Sequence, residues 1–327
     1  MRIKQAHPSR DSNGAPVKVR QRKARREDEV AMLKRVGAIP TWGRRSITVA
    51  ALMFFLSLTP NTYHLTPALH AQGQVSGITK PALPNIRIAF YFPGADAGAK
   101  IAACIADLPS TGGTCDARGL EGAQTLSQDV FSGVTKPGTL LFGDDTFTQT
   151  VTQNPPAGWT IECSYGGKEP GGGEIVGTKF VWAGAASSNM WRFFNVHHVD
   201  FRGCILDANS VASTTAILYD GTNSPGSNSN IFENFSIQNA FIAFQWGTSA
   251  VNDYQLDGTN IRKFQIRSAV ANAKGIVVNS GNAAQYSSIE DGAIQLVNVG
   301  IDLQETGGLL NIRRVTFGTM SGVDPVA

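Results

Sequence analysis

The sequence has no apolar run of comfortable membrane-spanning length. The stretch Ile47 to Leu58 is twelve residues interrupted by Thr48 and Ser57, where a spanning helix needs about 20. It also lacks a phosphate-binding glycine loop, a zinc-spaced set of Cys and His, and a nucleophile elbow, and Gly171-Gly172-Gly173 is followed by no helical pattern. Cysteine is scarce: the chain has four, Cys104, Cys115, Cys163 and Cys204, and none precedes residue 104. Charged residues are only 16% of the chain, and they are unevenly placed. Residues 1–71 hold 13 Lys and Arg against 4 Asp and Glu, and residues 72–327 hold 15 against 21, so a net charge of +3 divides into +9 and −6. The basic excess that would suggest a nucleic-acid partner therefore sits wholly in the leader, and the remainder is mildly acidic.

What is present in residues 1–71 is an export signal. Arg44 and Arg45 precede the twelve-residue apolar run, which suits a signal-peptide core, and Pro60, a polar stretch and the small residue Ala71 follow. Cleavage after Ala71 is expected, leaving no stable membrane span. Both the general and the twin-arginine export routes stay open, because Gly43-Arg44-Arg45-Ser46-Ile47 suits the second and Thr48-Val49 departs from it. Arg20, Arg22, Lys23, Arg25 and Arg26 make the leader unusually long, and Met32-Leu33-Lys34-Arg35 is the expected translation start. Residues 72–95 read as a linker and a lead-in strand. An exported chain can oxidise its cysteines.

Beyond residue 95 the chain repeats itself. A ten-residue pattern begins at Asn195, Ile231, Asn260, Ser288 and Asn311, at intervals of 36, 29, 28 and 23 residues. Its second position is Val196, Phe232, Ile261, Ile289 and Ile312. The fifth is Val199, Phe235, Phe264, Gly292 and Val315, and the seventh is Phe201, Ile237, Ile266, Ile294 and Phe317. Polar residues lie between them, which predicts strands with one buried face. A second element follows the first four copies, aligned on Ile217, Ile242, Ile276 and Ile301 and ending at Asp220, Gln245, Asn279 and Gln304. Two strands per repeat, with Asn, Ser and Gly between them, predict an all-β solenoid in which each strand pairs with its equivalent one coil along. Leucine-rich repeats and propellers are excluded by the spacing.

The segment Asp96-Ala97-Gly98-Ala99-Lys100-Ile101-Ala102-Ala103-Cys104-Ile105 with Gly112-Gly113-Thr114-Cys115-Asp116 resembles the opening of pectate-lyase-like β-helix proteins. The resemblance implies a right-handed parallel β-helix over residues 96–327 whose N-terminal end is plugged by a short helix. Ile101, Cys104, Ile105 and Leu108 give that helix one apolar face, and Asp96 is placed to cap it. Cys115 points inward beneath the helix, so Cys104 and Cys115 are the expected disulfide, and the pairing of Cys163 and Cys204 stays open. The last repeat strand, Asn311 to Met320, is followed by seven residues. A solenoid without a C-terminal cap is expected, with either a longer gene or self-association through the open end.

The family contains lyases, hydrolases and inactive relatives, so it implies a polysaccharide partner, acidic if the arginines meet it, more firmly than it implies catalysis. The hydrolase pattern is unmet: Arg-Ile-Lys occurs only as Arg2-Ile3-Lys4 in the leader, and Asp144-Asp145 lies in an early turn. No cofactor is identified; calcium enters only if the chain is a lyase. As a binding face, Asp200, Arg202, Gln238, Gln265 and Arg267 are expected to form outward ladders, with Trp246 as a stacking surface for a sugar ring. His197 and His198, adjacent on a strand, are expected to diverge; Glu290 and Asp291 would do the same unless the chain bends at Gly292, and a surface turn is the expected reading. Arg262-Lys263 and Arg313-Arg314 are corner cations open to an acidic glycan or to solvent. The alternative is a non-catalytic structural or adhesion module, secreted, periplasmic or on the cell surface.

Overall fold

A computed structural model describes residues 85–164, 177–221, 227–248, 256–279, 285–304 and 309–318. All belong to the unit Val75–Ala327. The leader, its expected cleavage after Ala71 and the chain after residue 318 lie outside the described residues.

The chain enters with β1 (Ile86–Ile88), a 3-10 turn (Ala89–Tyr91) and helix α1 (Ala97–Ala106). Asp96 caps α1 by accepting the Ala99 amide at 2.8 Å, as its position before the apolar stripe predicts. Strands β2 (Thr114–Asp116), β3 (Gln124–Leu126), β4 (Gly138–Phe142), β5 (Thr146–Gln149), β6 (Trp159–Cys163) and β7 (Lys179–Trp182) follow. Next come β8 (Asn189–Phe194), β9 (Asp200–Arg202), β10 (Ile205–Asp207), β11 (Thr215–Asp220), β12 (Ile231–Gln238) and β13 (Ile242–Trp246). The last are β14 (Asn260–Arg267), β15 (Lys274–Val278), β16 (Ser287–Gln295), β17 (Val299–Leu303) and β18 (Leu310–Phe317). Among the described residues no helix is long and apolar enough to cross a membrane.

Every ladder between these strands is parallel, and they stack as a solenoid of about seven turns. One stack runs β1-β2-β4-β6-β9-β12-β14-β16-β18, a second β3-β5-β7-β10-β12, and a third β8-β11-β13-β15-β17. The first two merge at β12, whose first half pairs with β9 and second half with β10. Between the halves the chain turns on one left-handed residue per coil: Gly203 (φ 78°), Asn234 (55°), Lys263 (52°), Asp291 (53°) and Arg314 (51°). Only Gly adopts this freely. At Gly203 a Cβ would also lie 2.2 Å from the Cys163 carbonyl oxygen. The bend explains why the apolar positions are two, five and seven: a single left-handed residue at position four resets the alternation.

Four of the five sequence copies align in register, Ile231 with Asn260, Asn260 with Ser288 and Ser288 with Asn311. The first copy is displaced. Ile231 pairs with Asp200, and Ser236 with Ile205, so the true first copy begins at Asp200 rather than Asn195. Phe201, Cys204 and Leu206 occupy positions two, five and seven and are all buried, just as Val196, Val199 and Phe201 are. The apolar template fits both frames. The second element slips by two at one copy, because Phe244, not Ile242, stands with Ile217 and Ile276.

The core is a column of rings, with Phe142, Phe147 and Phe180 in mutual contact and Trp191, Phe201, Phe193, Phe232 and Phe244 continuing it at centroid spacings of 5.0–5.6 Å. At position five, Phe235 stacks on Phe264, and Phe264 fills the space above Gly292. A Cβ on residue 292 would lie 2.1 Å from the Phe264 ring. Gly292→Ala is therefore expected to cost roughly 1–3 kcal/mol, seen as a lower urea midpoint; an unchanged midpoint would mean that Phe264 moves aside freely.

Both expected and open cysteine pairings resolve. Cys104 bonds Cys115, tying α1 to β2 with Cα atoms 5.9 Å apart. Cys163 bonds Cys204 across neighbouring coils, 5.0 Å apart at Cα. No cysteine is free, which fits an oxidising compartment.

Candidate functional site

The bend divides the outward surface in two. On its first side, successive coils place Glu162, Arg202, Glu233, Arg262, Glu290 and Arg313 one above another, so the charge alternates at every step. Arg262 meets Glu233 at 2.9 Å and Arg313 meets Glu290 at 2.7 Å. Lys263, at the bend, adds a second cation to Glu233 at 2.7 Å, and Arg314 grips Asp291. Hydrogen bonds from Lys263 and then Arg262 hold the Glu233 carboxyl below its ordinary range, against the effect of burial. The Ser288 hydroxyl and then Arg313 do the same for Glu290, and Arg314 for Asp291. These carboxylates are standing anions near neutral pH and hold no proton to give.

Asp200 and Arg202 belong to this side and bind one another on a single strand, two residues apart. They do not share ladders with Gln238, Gln265 and Arg267 as the sequence frame predicts. The rungs opposite Ser236 and Gln238 are Ile205 and Asp207.

On the second side, one ladder runs Val181, Asp207, Gln238, Arg267 and Gln295, and its neighbour runs Lys179, Ile205, Ser236, Gln265 and Ala293. Lys179 and Asp207 pair at 2.9 Å. Burial works against the Asp207 charge, yet bonds from Lys179, Asn239 and the Asn209 amide keep its pKa low. Arg267 is different. It is exposed, and it alone of the described arginines has no carboxylate partner among the described residues. Its ladder neighbours are amides, Gln238 one coil before and Gln295 one coil after. The sequence could have shown this, since the rungs beside Arg262 are acidic and those beside Arg267 are not.

Trp246 is 0% exposed, so it offers no face to a sugar. Strand β13 continues through it, two residues beyond Phe244, and both side chains point inward; Tyr219 packs on it at 5.8 Å. The amide row Asp220, Gln245, Asn279 and Gln304 is also broken. Gln245 stands with Leu218 and Val277, and Asp220 is buried against Arg192 at 2.9 Å.

His197 and His198 do not diverge. Their rings meet edge to face with centroids 5.5 Å apart, both exposed, because His198 is left-handed (φ 54°) and the segment is not a strand. Glu290 and Asp291 converge on Arg314, because the chain does bend there, at Asp291 rather than Gly292 and within a strand rather than a turn. Arg262, Lys263, Arg313 and Arg314 are each occupied by these acids. Asp145 accepts the Gly122 amide, 23 residues earlier in the chain, at 3.1 Å. Among the described residues Asp257 is the one carboxyl raised above its ordinary value, by burial that outweighs the Gln285 amide bound to it. Among the described residues no three His, Cys, Asp or Glu side chains gather as a metal would require.

Compared with models of protein families, with curated proteins and with solved structures, the chain matches none.

Proposed function

We propose that this protein is an exported, pectate-lyase-like β-helix that binds an acidic polysaccharide on the face carrying Gln238, Gln265 and Arg267, without cleaving it. The observation that supports this reading is the guanidinium of Arg267, which alone of the described arginines has no carboxylate partner among the described residues. Arginine presents a planar fork suited to a uronate carboxylate. The flanking amides Gln238 and Gln295 can serve hydroxyls on neighbouring sugars, and paired strands advance about 4.8 Å per coil, so a polymer along the axis meets the ladder repeatedly. Against catalysis on the two sides of the bend stand their own carboxylates: Glu233, Glu290, Asp291 and Asp207 are held by cations and stay ionised, whereas glycoside hydrolysis needs one protonated acid facing a second carboxylate.

Arg267→Ala is expected to weaken retention in native gels containing polygalacturonate or alginate by roughly 10-fold, equivalent to about 1.4 kcal/mol, with the melting temperature unchanged. Arg202→Ala should do less, because Asp200 already occupies Arg202. Equal retention of Arg267→Ala and its parent, or a parent retained by neither polymer, would overturn the assignment.

A further inference from the structure

A concave surface lies at the N-terminal end of the solenoid. The 3-10 turn Ala89–Tyr91 holds two adjacent aromatic side chains outward, Phe90 53% and Tyr91 36% exposed. Phe194, Tyr286 and Phe317 are exposed elsewhere on the solenoid, but only Phe90 and Tyr91 are adjacent in sequence among the described exposed aromatics. The turn is rigid: Ala89 between β1 and the rings is fully buried, and the Phe92 amide closes it on the Ala89 carbonyl at 3.0 Å. The two rings meet edge to face, 5.5 Å apart and 78° inclined. Together with Ile88, Leu120 and Gly119 they bound a pocket of about 460 Å³, within the roughly 300–1,000 Å³ of small-molecule sites.

The rim is polar. Lys100, on the first turn of α1, reaches over the Phe90 ring with its Nζ 5.9 Å from the centroid. Glu121 and Gln124 line the other side, and the Gln124 amide nitrogen is anchored on the Glu121 carbonyl, leaving its own oxygen as an acceptor. One cation and one anion therefore share the pocket with an amide and two aromatic faces.

We propose that this pocket binds a neutral pyranose ring of a polysaccharide. A pyranose has a face of C–H groups that packs on aromatic rings and an edge of hydroxyls that both donate and accept. Phe90 and Tyr91, inclined at 78° to one another, supply two apolar walls for that face. Glu121 accepts from hydroxyls, Lys100 donates to them, and Gln124 orients a third. An apolar ligand would strand Lys100 and Glu121 without partners, and opposite charges on one rim give an acidic sugar no net attraction. The site is independent of the Arg267 face and rests on nothing in that reading.

Native affinity electrophoresis of the full chain in gels containing hydroxyethylcellulose, xyloglucan or galactomannan tests it. The parent should be retarded by at least one of the three, and Phe90→Ala/Tyr91→Ala should lose at least 10-fold of that retardation. Phe90→Leu/Tyr91→Leu keeps the apolar bulk, removes the ring faces and should lose as much, which guards against a folding defect in the Ala variant. Lys100→Ala and Glu121→Gln should each lose several-fold. Retention by polygalacturonate should not change in any of these variants, and Arg267→Ala should leave the neutral gels unaffected, so failure of either site is told from failure of the other. A parent that migrates freely in all three neutral gels, or a Leu variant retarded like the parent, overturns the proposal.

Discussion

The double substitution Cys163→Ala/Cys204→Ala is expected to lower the free energy of unfolding by about 4 kcal/mol in the chain-entropy account of cross-linking. The bond spans 41 residues of sequence and encloses an entire coil, from the end of β6 through β7 and β8 to the far end of β9. In the unfolded chain those ends would otherwise be free to separate. In the folded chain they are one rung apart, since Glu162 already pairs with Arg202, so the bond asks little of the native structure. The second bond, Cys104 to Cys115, closes a loop of 11 residues, and its removal is expected to cost less, about 3 kcal/mol on the same account. Urea unfolding of the oxidised parent, the reduced parent and the two double variants would rank them. A Cys163→Ala/Cys204→Ala midpoint equal to that of the oxidised parent would show that the coil is closed by its ladders alone.

Asn230→Leu should be nearly as damaging, although it exchanges a buried polar side chain for an apolar one of similar size. Asn230 is fully buried at the start of β12. Its Oδ1 accepts the Val199 amide at 2.9 Å, and its Nδ2 donates to the Val196 carbonyl at 3.1 Å and to the Tyr219 hydroxyl at 3.0 Å. Because Tyr219 accepts there, its own proton goes to Thr259 Oγ1, 2.9 Å away, which in turn donates to the Asp257 carbonyl. Burial raises the Tyr219 pKa far above its ordinary value, so the phenol stays a donor. Leucine would leave the Val199 amide buried without an acceptor and would break the chain at its first link, at a cost of roughly 2–4 kcal/mol. Thr259→Val, which leaves Tyr219 one partner, should cost about half as much. Denaturant midpoints decide the matter, and a parent-like midpoint for Asn230→Leu would mean that the Val199 amide finds another acceptor.

These positions show what the sequence made legible and what it concealed. The helix cap at Asp96, the inward pair Cys104 and Cys115, and the register from Ile231 to Asn311 are local or strictly periodic, and each is read from side-chain type alone. The first coil was concealed because the two-five-seven template overlaps itself: Phe201 fits position seven of one frame and position two of the other. The left-handed conformation at His198 was concealed for a different reason. Asn and Gly advertise such bends at Asn234 and Gly203, whereas His, Lys and Arg adopt them only where neighbouring coils already do. Trp246 failed as a surface residue because strand length, rather than polarity, decides how far inward alternation continues. The pairing of Cys163 with Cys204 needed the knowledge that β6 and β9 are adjacent, which depends on the lengths of the intervening loops. Arg267 differs from Arg262 only in what stands a whole coil away.

The alternating charges of Glu162, Arg202, Glu233, Arg262, Glu290 and Arg313 give this solenoid a period that its backbone does not have. Like charges directly opposite in neighbouring strands repel. Duplicating one coil would set two arginines or two glutamates on adjacent rungs, and deleting one would do the same. Duplicating or deleting two would restore the order. The unit by which such a chain can grow or shrink without recoding its surface is therefore the pair of coils, about 60 residues from Asp200 to Asn260 and about 51 from Asn260 to Asn311.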